Sequence, residues 1–123
     1  MAKPLVLCID DLENDLIMRK TLLETLGCNV QLATEPRECL AALTESKIDL
    51  VLLDYHLGDG VTGEDLARDI RTCCPGVPLV MLTGDPNIPE SARGSVDAVL
   101  LKGAASSADL IATLQSFLPN ATW

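Results

Sequence analysis

The chain has 123 residues, 48% of them hydrophobic but only 2% aromatic, with 18 acids against 9 bases for a formal charge of −9. A domain of that length buries roughly two thirds of the surface its unfolded chain exposes, so one aliphatic core of Leu, Val, Ile and Ala is enough. The acidic balance argues against direct partners such as nucleic acid or anionic lipid, which need clustered Lys and Arg, and no apolar stretch reaches the ~20 residues of a membrane span.

The first apolar run, Leu5-Val6-Leu7-Cys8-Ile9, reads as a strand buried on both faces, and Asp10 and Asp11 follow it directly. Asn14 is the expected cap of a first helix with Leu16, Leu22, Leu23 and Leu26 at helical spacing, and Gly27 stands where a C′ glycine belongs. A second strand is expected from Cys28 to Ala33. Pro36 suits the first turn of a second helix ending near Glu45, where its missing N–H costs nothing.

A third strand covers Ile48 to Leu53 and ends at Asp54. The glycine-rich stretch from Tyr55 to Gly63 is a loop leading into a third helix with Leu66, Ala67 and Ile70 on one face, which Cys74-Pro75-Gly76 stops. Leu79-Val80-Met81-Leu82 forms a fourth strand ending at Thr83-Gly84. Beyond it Pro86, Pro89 and Gly94 crowd the place of a fourth helix, which is expected to be short, late-starting or poorly ordered. Ala98 to Leu101 is the fifth strand, ending at Lys102. Ser106 or Ser107 then caps a last helix carrying Leu110, Ile111, Leu114 and Leu118, which Pro119 closes.

Strands alternating with helices in this way predict an α/β fold: a parallel five-stranded sheet with helices on both faces. Four of the five strands deliver a chemically capable group at their carboxyl ends, namely Asp10 with Asp11, Asp54, Thr83 and Lys102. Strand two delivers none, as expected of an edge strand far from the crevice where ligands bind in such sheets. Two carboxylates about 5 Å apart repel by roughly 3 kcal/mol at an effective dielectric of ~20, so three together call for a cation. Hard oxygen ligands in this number suit Mg²⁺, and a carboxylate beside such a metal can act as a nucleophile toward phosphorus.

Each residue has a plainer reading. An Asp after a strand is often a helix cap, a lone lysine is usually a surface residue, and His56, the only histidine, is expected to be exposed. The register of all five groups at strand ends weighs against coincidence. The five cysteines are an odd set without a CxxC pair, so Cys8 is expected to pack as a small hydrophobe, and Cys73-Cys74 to end a helix.

The pair Asp10-Asp11, the segment Asp54-Tyr55-His56-Leu57-Gly58-Asp59-Gly60, Leu82-Thr83-Gly84 and Leu101-Lys102, in this order and at these intervals, resemble the receiver domain of bacterial two-component response regulators. The resemblance covers essentially the whole chain. It implies a flavodoxin-like doubly wound (βα)5 fold of strand order 2-1-3-4-5, a single receiver domain over 1–123 and no effector domain. It implies phosphorylation on Asp54 by a histidine kinase or phosphotransfer protein, and signalling through a downstream protein target. By the same resemblance Asp11 ligates Mg²⁺ directly and Asp10 more loosely or through water, with Asp54 and the backbone carbonyl of His56 as further ligands. Thr83 and Lys102 contact the phosphoryl group, and the side chains of His56 and Asp85 modulate dephosphorylation. Activity other than self-phosphorylation and autodephosphorylation is not expected, and the cytoplasm is the expected compartment.

Three positions depart from the common receiver pattern. Val99 stands where a switch aromatic is usual, Gly103 replaces the proline that usually follows the lysine, and prolines disturb the fourth helix. The main alternative is a haloacid-dehalogenase-like phosphohydrolase, which also uses an aspartyl phosphate with Mg²⁺ but wants Asp-x-Asp after strand one; Asp10-Asp11-Leu12 breaks that spacing. A flavodoxin-like FMN carrier needs a hydroxyl-rich phosphate loop where this chain has Asp11-Leu12-Glu13-Asn14-Asp15.

Overall fold

A computed structural model describes residues 3–102 and 107–119. The strands are β1 (Leu5–Ile9), β2 (Asn29–Ala33), β3 (Leu50–Asp54), β4 (Leu79–Thr83) and β5 (Ala98–Leu101). Between and after them run α1 (Glu13–Thr25), α2 (Pro36–Glu45), α3 (Gly63–Cys73), α4 (Glu90–Gly94) and α5 (Ser107–Phe117). All neighbouring strands pair in parallel, in the order β2-β1-β3-β4-β5. The expected flavodoxin-like doubly wound (βα)5 sheet of order 2-1-3-4-5 is therefore the observed one.

Side-chain alternation along the strands sorts the core into two layers. Leu7, Ile9, Val51 and Leu53 pack with Cys39 of α2 and Leu66 and Ile70 of α3. Val6, Cys8, Leu50 and Leu52 point the other way, onto Leu16 and Leu23 of α1 and Leu110 and Leu114 of α5. Every residue of β3 is buried, as a central strand covered on both faces requires. The same alternation carries Asp10 and Asp54 onto the α1 and α5 side, one step beyond Cys8 and Leu52.

Register brings the strand ends level. Ile9 pairs with Leu53, Asp54 with Leu82 and Thr83 with Leu101, so the residues that follow open onto one crevice. Three local devices hold the loops there. α1 ends in a Schellman motif, with Cys28 N–H donating to Leu23 O (3.0 Å), Gly27 N–H to Glu24 O (3.1 Å) and Gly27 at φ 97°. Thr62 and Asp65 form a capping box at the start of α3. Gly63 runs so close to β3 that a Cβ there would lie 2.5 Å from the Asp54 carbonyl oxygen, and only glycine fits.

The elements differ from the sequence reading at their boundaries and at one cap. Asn14 does not cap α1. The Asp10 carboxylate accepts the Leu12 N–H (3.0 Å), and the turn this makes puts Leu12 at the N-cap without a side-chain cap bond, leaving Asn14 exposed in the first helical turn. Strand β2 begins one residue after Cys28, whose N–H is spent on the Schellman motif. Strand β3 begins at Leu50 because the Asp49 side chain accepts the Leu5 N–H (2.8 Å) just before it. Helix α4 is only five residues long, with Pro89 at its N-cap, in line with the crowding of prolines. The expected cap of α5 at Ser106 or Ser107, and Gly103 with it, lie outside the described side chains.

Candidate functional site

The carboxylates of Asp10, Asp11 and Asp54 each place an oxygen within 4.8 Å of the others. Asp10 is fully buried, Asp54 is 5% exposed and Asp11 is exposed at the mouth. The Lys102 ammonium enters from the end of β5 and lies 3.0 Å from Asp10 Oδ2, 3.1 Å from Asp54 Oδ2 and 3.5 Å from Asp15 Oδ2. Two of its donors go to Asp10 and Asp54, and Asp15 stands at ion-pair distance. Gly58, at φ 81° in the β3–α3 loop, passes Asp11 so closely that a Cβ would stand 3.3 Å from its Oδ2.

The two buried acids are unequal. Burial, reinforced by the Asp10 charge, pushes the Asp54 carboxyl up to about 6 despite the lysine beside it. Burial opposes the charge on Asp10 too, but the Leu12 N–H and Lys102 outweigh it and hold that carboxyl below its ordinary range. Burial likewise works against the Lys102 charge, and its bonds to Asp10 and Asp54 win, keeping the ammonium above its usual value. Asp54 is thus the acid of the pair whose negative charge is the less favoured. Its Oδ1 accepts the Tyr55 N–H (2.9 Å), which fixes the carboxylate plane.

Thr83 is buried at the end of β4, but its hydroxyl is turned toward the following loop, accepting the Asp85 N–H at 3.0 Å. Asp85 is half-buried, with Oδ1 accepting the Asn87 N–H (2.8 Å). The His56 ring is exposed and stands edge-on to Tyr55, their centroids 4.8 Å apart. Val99 is half-buried against Met81, Ile88 and Ala92, so the cluster under α4 has an aliphatic residue on β5. Cys8 and Cys39 are buried free thiols, both pushed to about 12 chiefly by burial, as befits packing residues.

Two residues at the site were missed from the sequence. Asp15, in the first turn of α1, reaches Lys102. Arg19 projects from α1 toward Asp10, its Nη2 3.5 Å from Asp10 Oδ2 and its side chain only 9% exposed. The signal for Arg19 was available: it lies between Leu16 and Leu23 at spacings of three and four, a charged residue on the face that α1 buries.

Fold and site together define a doubly wound domain whose carboxyl-end crevice holds an acid triad closed by a lysine. The family model of the response regulator receiver domain matches residues 6–115, and the chain belongs to that family. Over 83 residues, 65% of the chain, it is 36% identical to the aerobic respiration control sensor protein ArcB of Escherichia coli (strain K12), of whose length it spans 10%. A CheY-like receiver domain from Methylobacillus flagellatus superposes with a TM-score of 0.85 at 25% identity, covering 94% of this chain and 99% of that one. TrrA from Thermotoga maritima, solved in complex with Mg²⁺ and BeF, shares the fold with a TM-score of 0.86 at 22% identity, over 94% and 99% of the two chains. The haloacid-dehalogenase alternative finds no support. That family wants Asp-x-Asp after the first strand, and Asp10-Asp11-Leu12 follows β1 here. Among the described residues no helix is long and apolar enough to cross a membrane.

Proposed function

We propose that this receiver domain accepts a phosphoryl group on Asp54 from the phosphohistidine of a histidine kinase or phosphotransfer protein, with Mg²⁺ held by Asp10, Asp11, Asp54 and the His56 carbonyl. The observation that carries the reading is Lys102 Nζ seated 3.1 Å from Asp54 Oδ2 beside three carboxylates whose oxygens fall within 4.8 Å of one another. That span suits an octahedral ion with bonds of about 2.1 Å, whose opposite ligands stand ~4.2 Å apart, and the all-oxygen donor set is the chemistry Mg²⁺ selects. The bound ion would neutralise the acids and the charge on the incoming phosphoryl oxygens.

The remaining steps fall to the chain. An Asp54 oxygen forms the bond to phosphorus in line as the bond to the donor imidazole breaks, and the imidazole leaves carrying a proton. Lys102 follows the charge from the carboxylate onto a phosphoryl oxygen, and Thr83 exchanges its contact with Asp85 for the phosphoryl group. His56, exposed beside the acceptor, and Asp85, on the loop after Thr83, flank the path of a hydrolytic water and set the lifetime of the acyl phosphate. With Val99 in place of an aromatic, the switch passes through Thr83 and the β4–α4 loop to a downstream protein partner. The domain acts as a signalling element in the cytoplasm, with no catalysis beyond its own phosphorylation and dephosphorylation, and without direct contact to nucleic acid or insertion into membrane.

Incubation with acetyl phosphate and Mg²⁺ tests this by intact mass. One phosphoryl group is expected on the wild type and none on Asp54→Asn. An unmodified wild type, under conditions that modify a control receiver, refutes the reading.

A further inference from the structure

Arg19 is a buried cation behind the acid pocket. Its side chain is 9% exposed and its Nη2 stands 3.5 Å from Asp10 Oδ2, too long for a hydrogen bond of full strength. Its Nη1 is buried and has no hydrogen-bond partner among the described residues. Buried donors are nearly always paired, and an unpaired one on a guanidinium asks for an explanation. In the same arrangement Lys102 holds the same Asp10 oxygen at 3.0 Å, so Oδ2 has one full partner and a second cation next to it.

We propose that Arg19 is a positioning residue that takes over Asp10 when Lys102 is drawn onto the phosphoryl group of Asp54. The inference rests on the phosphoacceptor reading above. Phosphoryl oxygens lie at least one bond beyond Asp54 Oδ2, and following them carries the ammonium away from Asp10. With Mg²⁺ held by Asp10 only loosely or through water, this fully buried carboxylate keeps the Leu12 N–H on Oδ1 but loses its direct partner on Oδ2, and a poorly compensated buried charge is unfavourable. A small shift of the guanidinium shortens the 3.5 Å contact and brings the spare Nη1 to bear, giving the forked Arg–carboxylate pair that a lysine cannot form. Arg19 thereby releases Lys102 at little loss. In the unphosphorylated state its charge opposes Mg²⁺ in the neighbouring pocket.

Two affinities, measured by isothermal titration calorimetry on wild type, Arg19→Met and Arg19→Lys, separate this from a purely structural role: Mg²⁺ alone, and beryllofluoride as a phosphoryl analogue at saturating Mg²⁺. Arg19→Met is expected to bind Mg²⁺ about threefold to tenfold tighter, through loss of a positive charge, and beryllofluoride about tenfold weaker. Arg19→Lys keeps the charge without the fork, so Mg²⁺ affinity stays within about twofold of wild type while beryllofluoride weakens by about threefold or more. Beryllofluoride affinity within about twofold of wild type in Arg19→Met overturns the proposal, and should that variant not fold, the same result in Arg19→Lys does so. A wild type that binds Mg²⁺ but takes no beryllofluoride removes the phosphoacceptor reading and this role with it. A wild type that takes it normally while the variants are unchanged removes the role of Arg19 alone.

Discussion

Asp54→Asn is expected to stabilise the metal-free protein at neutral pH, a consequence of placing a nucleophile where its charge is unwelcome. In the folded protein the Asp54 carboxyl is pushed to about 6, above its ordinary value of 3.8, mainly by burial and then by Asp10. The folded state therefore holds this proton more tightly than the unfolded chain does. The group's contribution is fully present below about pH 4 and is lost as pH rises through about 6, the reverse of an ordinary paired carboxylate. About two pKa units correspond to roughly 3 kcal/mol above pH 7. The amide discards that loss, which already includes the attraction of Lys102, and with part of the gain spent on rearranging the Lys102–Asp10 contact a net gain of ~1–2 kcal/mol is expected, worth several degrees in Tm for a domain of this size. The assay is urea unfolding of both proteins in EDTA at about pH 4.5 and about pH 7.5. The variant should be more stable at the higher pH, with the difference largely gone at the lower one, and saturating Mg²⁺ should reverse the order by binding the wild type more tightly. A variant that is equally or less stable in EDTA at both pH values would refute the reasoning.

Asp11→Asn should weaken Mg²⁺ by about tenfold or more while leaving stability in EDTA within ~0.5 kcal/mol, because this acid is exposed at the mouth of the pocket; calorimetric titration alongside urea unfolding reads both. Gly63→Ala forces a Cβ to 2.5 Å from the Asp54 carbonyl oxygen and should cost about 3 kcal/mol or prevent folding, as read by urea unfolding. Lys102→Ala leaves Asp10 and Asp54 without their shared cation, and in EDTA should cost ~2 kcal/mol, softened by Arg19 beside Asp10 and by protonation of Asp54. The same variant should lower the yield of phosphorylated protein from acetyl phosphate at least about tenfold, measured by intact mass.

The sheet and the acids at its edge were legible because parallel strands buried on both faces leave long aliphatic runs, and the polar residue that ends each run marks the crevice. Register, which brings Asp10, Asp54, Thr83 and Lys102 level, follows from those ends. Details decided by side-chain competition were not. Asn14 is a good capping residue, but Asp10 claimed the Leu12 N–H first and shifted the start of α1. The hydroxyl of Thr83 points to the Asp85 backbone, a choice between two partners that no pattern of residues records. The spacing of Arg19 to Leu16 and Leu23 marks it as facing inward, but its pairing with Asp10 at the far end of β1 is written only in the fold.

The central claim is that Asp54, and no other acid of the pocket, carries the phosphoryl group. Protein treated with acetyl phosphate and Mg²⁺ can be reduced with borohydride, which converts an aspartyl phosphate to homoserine, and digested for peptide mass mapping. Homoserine at position 54 alone is the predicted result. Homoserine at position 10 or 11, or none at all in protein that has gained a phosphoryl group, would contradict it.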